Sequence, residues 1–421
     1  MRSTLFMLLR AGCALVLCSR LASAAVVPDT PATEFFVANW NVENLYDTVD
    51  DPDNDGDDEF LPNNPITRWT QARYETKLDN LAQVINGMNQ GAGPDILGLE
   101  EVENEDVVRD LADRLAVKSY GIVHIDSPDP RGIDTAMLFN RDRFALLESH
   151  AHKVPLKWGE TRDILHAMLE DRDGEKLHVL VNHWPSRGGG TEESEQRRVI
   201  AARTLARVIE RIYQREPAAR IVILGDFNDE PTDHSIHDIL KVEFFPAPSG
   251  EYDPAKIYNL AAGKDKEGQG SFYHAYDGNV EWRMYDQIMA SGALLQSTGD
   301  CQSEVSLWID KPAFMVEEHG RDKGAPVPTF EGQEDYLGGY SDHFPIGVRF
   351  ACRNTSAAAA PAVPEPEKAK PTVKPPPDAP EKQRAVAATP VHKPKSTPNP
   401  MAKQKPAQAP QKPDFDDAVV W

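Results

Sequence analysis

The stretch RIVILGDFND, residues 220–229, carries four apolar residues in a row, Ile221 to Leu224, then a glycine, then Asp226, Phe227, Asn228 and Asp229. A short apolar run closed by glycine reads as a strand buried on both faces, since no polar alternation marks a side turned to water. Its polar end therefore marks a strand terminus at the rim of a sheet. The same ending recurs along the chain. WNVEN (40–44) follows EFFVAN, LEEVEN (99–104) follows DILG, and NHWPSR (182–187) follows KLHVLV; YDQI (285–288) and SDHFP (341–345) come near the end of the body. Strand ends converge on one rim in such folds, so Asn41, Glu43, Glu100, Glu101, Asn182, His183, Asp226, Asn228, Asp286, Asp342 and His343 can meet there. Any one of them alone would be an ordinary turn or helix cap. It is the set that carries the argument.

Outward from these endings the body reads as strands with helices after some of them. Residues 69–88 have helical spacing, with Tyr74, Leu78, Leu81, Val84 and Ile85 on one face, and Val107, Val108, Leu111 and Leu115 mark a second helix. YGIVHI, DTAMLF, FALLESH, DILHAML and KLHVLVNHW follow as strands, then a helix over about 193–213; DQIMAS and PIGVRF are the last strands. Runs of strands with interspersed helices predict an α/β (α+β) fold, a two-sheet β-sandwich flanked by helices in four α/β/β/α layers.

In this order, WNVEN, LEEVEN, RGIDTAMLF (131–139), TRDIL (161–165), NHWPSR, GDFND (225–229), YDQI and SDHFP resemble the endonuclease/exonuclease/phosphatase superfamily, the metal-dependent fold of deoxyribonuclease I, from about Phe35 to Phe350. NHWPSRGGG is similar to exported bacterial members. The resemblance implies a phosphodiester hydrolase using Mg²⁺ or Mn²⁺, with Ca²⁺ as a second or structural ion. Glu101 would be the principal metal ligand, with Asn41, Glu43 and Asp342 completing the set. Glu100 stands where the family usually has glutamine, a departure that adds a negative charge. His183 and His343 would act as acid, base or phosphate stabiliser, oriented by Asp134 and Asp286 respectively. Asp226 and Asn228 would orient the attacking water, and Arg162, Arg187 and Arg131 would contact phosphate. The bare chemistry agrees, because attack on an anionic diester requires neutralised charge and an activated water.

Net charge is −22, and both ends of the chain are basic, which leaves the body at about −29. That excludes a protein that holds nucleic acid mainly by its own charge. Residues 1–24 have the order of a signal peptide: Arg2 and Arg10, an apolar run, then Ala22, Ser23 and Ala24. The apolar run is too short to span a bilayer, so the expectation is export to the periplasm or beyond with no transmembrane helix in the mature chain. Loss of the leader leaves Cys301 and Cys352, which an oxidising compartment would pair as a disulfide. Residues 25–352 then form the enzyme domain, and 353–421 a disordered Pro-rich linker. The linker ends in DFDDAVVW, an apolar end suited to docking on an envelope partner. The acidic loop DTVDDPDNDGDDEF opens like a calcium loop at Asp51 but has Pro62 where the twelfth-position Glu is required. DNA or RNA is the expected substrate. The alternatives are a phospholipid or sugar phosphate ester, and, of another class, a catalytically idle envelope binding protein.

Overall fold

A computed structural model describes residues 34–354 apart from 53, 248, 277–278, 297–300, 304, 333–334 and 351. The leader, the Pro-rich segment after Asn354 and the terminal DFDDAVVW lie outside the described residues.

β1 (Phe35–Leu45), β2 (Ile96–Val102), β3 (Tyr120–His124) and β4 (Asp134–Asn140) form a six-stranded sheet with the strands Leu307–Ile309 and Ile346–Phe350. The order is Leu307–Ile309, Ile346–Phe350, β1, β2, β4, β3, and β1–β2 is its parallel pair. β5 (Phe144–His152), β6 (Ile164–Asp171), β7 (Lys176–His183), β8 (Ile221–Asp226), β9 (Glu243–Phe244) and β10 (Ile257–Asn259) join the strand Asp286–Ser291 in a second, seven-stranded sheet. Its order is β5, β6, β7, β8, Asp286–Ser291, β10, β9.

The period-2 alternation of each strand assigns its side chains to layers. On β1, Phe35 and Val37 enter a core between the sheets, where they join Val179, Val181, Leu224 and Ile288 of the second sheet. Phe36, Ala38 and Trp40 face the other way, onto Leu78, Leu81 and Ile85 of α1 (Gln71–Gly87) and Val107 and Leu111 of α2 (Glu105–Arg114). α3 (Thr191–Arg215) covers the second sheet through Leu205, Val208 and Ile212 against Ile221 and Ile223. The four expected layers are present. The entry to α2 is fixed by Asn104, whose side chain accepts from the amides of Asp106 and Val107, a cap worth about 1 kcal/mol.

Three details differ from the sequence reading. β1 runs on to Leu45 beyond the expected end at Asn41, because a bulge lets pairing with β2 resume. Short strands at 243–244, 257–259, 272–276, 279–283 and 307–309 have too few residues to show a period. The segment Cys352–Asn354 pairs with Cys301–Ser303, Cys301 opposite Asn354 and Ser303 opposite Cys352, a strand pair absent from the sequence reading. The two cysteine side chains lie outside the described residues. Among the described residues no helix is long and apolar enough to cross a membrane.

Candidate active site

Strand register builds the site. β7 and β8 run parallel with His183 opposite Asp226, and Asp286–Ser291 runs antiparallel to β8 with Asp286 opposite Asp226. Three adjacent strands thus present His183, Asp226 and Asp286 side by side at one rim. On the facing sheet, Asn41 stands opposite Glu100.

Bulges then re-aim what simple alternation would misplace. The register shifts between Asn41 and Leu45 and between Glu100 and Val102. Glu43, Asn44 and Glu101 adopt φ of 54°, 59° and 62° there, and Asn228 after β8 adopts 51°. Left-handed backbone at residues other than glycine costs on the order of 1 kcal/mol or more each. Regular alternation would have sent Glu101 to the side of Leu99, under the helices. With the bulge, its Oε1 lies 3.8 Å from His183 Nε2.

Asp226 Oδ2 is the hub. It accepts from Asn41 Nδ2 at 3.1 Å and Asn228 Nδ2 at 3.3 Å, and lies 3.6 Å from His183 Nε2 and 4.0 Å from His343 Nε2. Burial and the neighbouring Asp286 push its carboxyl up to about 7, against the pull of His343 and of these hydrogen bonds. Asn228 is itself fixed, its amide nitrogen donating also to the Trp184 carbonyl at 3.1 Å.

The two histidines differ. Burial, with Arg162, Arg131 and His343 nearby, holds His183 well below the ordinary histidine value. Burial works in the same direction on His343 but is overcome by Asp286, Asp342 and Asp226, so its ring is held well above that value. His343 Nδ1 donates to Asp286 Oδ2 at 2.7 Å, and the same oxygen accepts from Ser271 Oγ at 2.6 Å. Phe272 lies against the His343 ring at 4.7 Å between centroids, and the His343 backbone carbonyl accepts from Trp40 Nε1 at 2.9 Å.

The expected pairing of His343 with Asp286 is present; that of His183 with Asp134 is not. Asp134 Oδ2 lies 2.9 Å from His124 Nε2, and its Oδ1 accepts from the amide and hydroxyl of Ser127. His183 Nδ1 is buried without a hydrogen-bond partner. The reason is the β2–β4 bulge: Asp134 pairs with Val102 rather than with a rim residue, and belongs to another cleft.

Glu43 Oε2 accepts from the Thr329 amide at 2.6 Å and lies 3.9 Å from Lys77 Nζ. Arg187 is spent on its neighbours: Nε donates to the Asn228 carbonyl at 2.8 Å and Nη2 to Asp229 at 2.9 Å and to Asp233. It holds the GDFND turn instead of reaching toward phosphate. Arg162 is buried, with Nη1 on Asp129 at 2.9 Å and Nη2 on the Trp184 carbonyl at 2.8 Å, while its Nε has no partner. Arg131 stays half-exposed, with Nη2 on Asn44 and 3.5 Å from Glu101 Oε2. It borders a cleft of about 360 Å³ that also includes Glu43, Phe60 and Phe330.

Glu100 is fully buried, one oxygen taking Asn39 Nδ2 at 3.1 Å and the other without a partner. Burial, then Asp286 and Asp226, raise its carboxyl well above the ordinary value. These surroundings favour its protonated form, a near-isostere of glutamine.

The oxygen donors suit a hard divalent cation. Glu101 is held below the ordinary carboxylate value: burial works against its charge, and Arg131 and Arg162 outweigh it. Its Oε2 accepts from the Asn44 amide at 3.1 Å, and Asn41 Oδ1 from the Glu43 amide at 3.0 Å. An ionised Glu101 with Asp342 and the Asn41 carbonyl fits Mg²⁺ or Mn²⁺, which are held by one or two carboxylates and keep several waters.

Three supporting residues were not foreseen. Lys77 is almost fully buried, its Nζ donating to Thr329 Oγ1 at 2.5 Å and to the Tyr340 carbonyl at 2.7 Å. Its signal was available, since it sits on the apolar stripe between Tyr74 and Leu81. Ser271 and Asp129 act on Asp286 and Arg162 from loops, where no periodicity marks them.

A family model described as Endonuclease/Exonuclease/phosphatase family matches residues 36–352. Similar solved structures include TDP2 from C. elegans, at 17% identity and TM-score 0.46, covering 77% of this chain and 76% of that one. The human Nocturnin catalytic domain with bound sulfate shows 18% identity and TM-score 0.45, covering 76% and 95%. A Bacteroides thetaiotaomicron mannosyl-6-phosphatase shows 16% and 0.45, covering 75% and 98%. No curated protein matches in sequence. On the span of the family match, which takes in every rim residue described above, this chain belongs to the endonuclease/exonuclease/phosphatase family, whose members are in general phosphoester hydrolases that use divalent metals.

Proposed function

We propose that this chain is an exported, divalent-metal-dependent phosphodiesterase that hydrolyses DNA or RNA. The observation that carries the reading is the placement of two buried histidines at 3.6 and 4.0 Å from one carboxylate oxygen, Asp226 Oδ2, with surroundings that favour the neutral ring at His183 and the cation at His343.

Asp226, poised near neutrality and clamped by Asn41 and Asn228, accepts the proton of a water as that water attacks phosphorus and the bond to the leaving ester oxygen breaks, that oxygen taking its proton from solvent. His343, cationic and fixed by Asp286, donates a hydrogen bond from Nε2 to a non-bridging phosphoryl oxygen as charge builds there. His183, neutral, holds a second oxygen of the phosphate through Nε2. Glu101, Asp342 and Asn41 would hold a divalent ion, which would supply charge neutralisation at the phosphate. Arg162 and Arg131 add fixed positive charge beside it.

Nucleic acid is favoured by the cleft at Arg131, where a guanidinium and the rings of Phe60 and Phe330 lie together; strand backbones and bases are held by that combination. Export rests on the leader-like order of residues 1–24, and an envelope partner for DFDDAVVW rests on that sequence.

The test uses the full chain on plasmid DNA, RNA, sphingomyelin and bis(p-nitrophenyl) phosphate, in EDTA and with Mg²⁺ or Mn²⁺ restored. Metal-dependent cleavage of a nucleic acid and of the small diester is expected. Cleavage in EDTA would overturn the metal assignment, and cleavage of sphingomyelin alone would overturn the substrate.

A further inference from the structure

Asp134, displaced from the rim, points to a second cleft. A basin of about 470 Å³ between the acidic loop after β1 and the 126–134 loop is lined by Asp47, Asp51, Glu103 and Asp134 besides Asp50 and Asp57. No lysine or arginine lines it among the described residues. Carboxylates gathered without a cation repel one another and lose hydration, which folding tolerates only where an ion or protons compensate.

The loop contains a more specific feature. Oxygens of Asp50, Asp57 and Asp58 lie within 4.8 Å of one another. Ligands of a single Ca²⁺, each at about 2.3–2.6 Å, are separated by no more than about 5 Å. Asp57 is 3% exposed; its Oδ2 accepts from the Asp51 amide at 2.8 Å, and its Oδ1 is buried with no hydrogen-bond partner. A buried carboxylate oxygen without a donor is costly, and a coordinated cation removes the cost.

We propose that Asp50, Asp57 and Asp58 form a calcium site, separate from the catalytic rim, that fixes the loop backing Arg131. Calcium is selected because the three side chains offer oxygen only, on a loop that leaves the remaining positions to water or backbone carbonyls. The other tight grouping, His124, Asp126 and Asp134, is already satisfied by the 2.9 Å contact of His124 with Asp134. With Pro62 where a bidentate Glu would sit, the affinity belongs to the weak range of extracellular modules, about 10⁻⁴–10⁻³ M.

The coupling is steric. A Cβ on Gly56 would come within 2.5 Å of the Pro130 carbonyl, and one on Gly132 within 2.4 Å of Asn54 Nδ2, so the acidic loop lies directly on residues 130–132. Tyr46 Oη donates to the Arg131 carbonyl at 2.5 Å from the other side. The Arg131 guanidinium then reaches Glu101. Ordering the acidic loop therefore orders an arginine of the active site.

The test is calorimetric titration of the full chain with Ca²⁺ in saturating Mg²⁺, together with thermal melts. One Ca²⁺ should bind, and the melting temperature should rise by about 4 °C at a hundredfold excess over Kd. Asp50→Asn, at an exposed position, should weaken binding at least about tenfold, and Asp57→Asn should abolish it; if Asp57→Asn does not fold, Asp50→Asn decides. Glu101→Gln should leave Ca²⁺ binding intact. Absence of binding to the wild type, undiminished binding in Asp50→Asn, or loss of binding in Glu101→Gln would each overturn the proposal, the last by placing the ion at the rim.

Discussion

Two groups of histidines in this fold share an enclosed setting and differ in the charge it favours. At the rim, the surroundings favour the cation at His343 and the neutral ring at His183. On the outer face of the second sheet, beneath α3, His152, His166 and His178 form a line beside a cavity of about 730 Å³. His152 Nε2 lies 3.2 Å from His166 Nδ1, and His166 Nε2 lies 2.9 Å from His178 Nδ1. Neutral rings satisfy such a line, each giving one N–H and accepting another. Burial, then the neighbouring histidines and Arg211, lower His166 to about 3; burial, Arg211 and His150 lower His152 to about 4. Enclosure beside other basic groups therefore favours the neutral histidine. A fixed carboxylate at 2.7 Å makes the acid, and Asp286 supplies it to His343 only.

Removing a rim ring should do the most damage. His183→Ala and His343→Ala should each lower kcat/KM on bis(p-nitrophenyl) phosphate by about 10³-fold or more, with circular dichroism unchanged. Retained turnover in a folded variant would break the comparison at its active end.

Asp286→Asn should come next, lowering the rate about a hundredfold. Its sharper readout is the pH profile. The His343 cation is the active form, so its deprotonation sets the alkaline limb; without Asp286 the folded pKa falls, and that limb should move to lower pH by about one unit or more. An unmoved limb would show that Asp286 does not set the charge of His343.

The outer line should matter to stability and leave the rate unchanged. His166 has a folded value below its unfolded 6.5, so its contribution is complete above about pH 6.5 and is lost as pH falls toward 3, at about 1.4 kcal/mol per pH unit. His343, with its value raised, behaves in the opposite sense: its contribution is complete below about 6.5 and fades as pH rises through the folded value. Urea midpoints between pH 7 and 4.5 should fall less steeply in His166→Gln than in wild type. Equal slopes would mean that the line titrates normally.

The smallest kinetic effect belongs to Glu100→Gln. Since burial keeps Glu100 neutral, turnover at pH 7 should be unchanged. Stability should rise there, because an acid with a raised folded value loses stability as pH climbs above about 4.5. A large loss of turnover would show that Glu100 works as an anion.

Much of this was legible in the sequence, for identifiable reasons. GDFND and SDHFP carry apolar runs that end in chemistry, and register alone brings His183, Asp226 and Asp286 abreast. The two bulges were not legible. They add a residue without changing composition, and they decide both that Glu101 reaches the rim and that Asp134 does not. Arg187 looked like a phosphate ligand because its partners, Asp229 and Asp233, lie more than forty residues further along the chain. Lys77 was legible in principle, as a lysine on the apolar stripe between Tyr74 and Leu81.

The most direct test of the opposed histidines is nitrogen-15 NMR of the imidazole rings at pH 7.5 with Mg²⁺ present, assigned through His183→Ala and His343→Ala. The account predicts an imidazolium with both nitrogens protonated at His343 and a neutral ring at His183. Two neutral rings, or two charged ones, would contradict it.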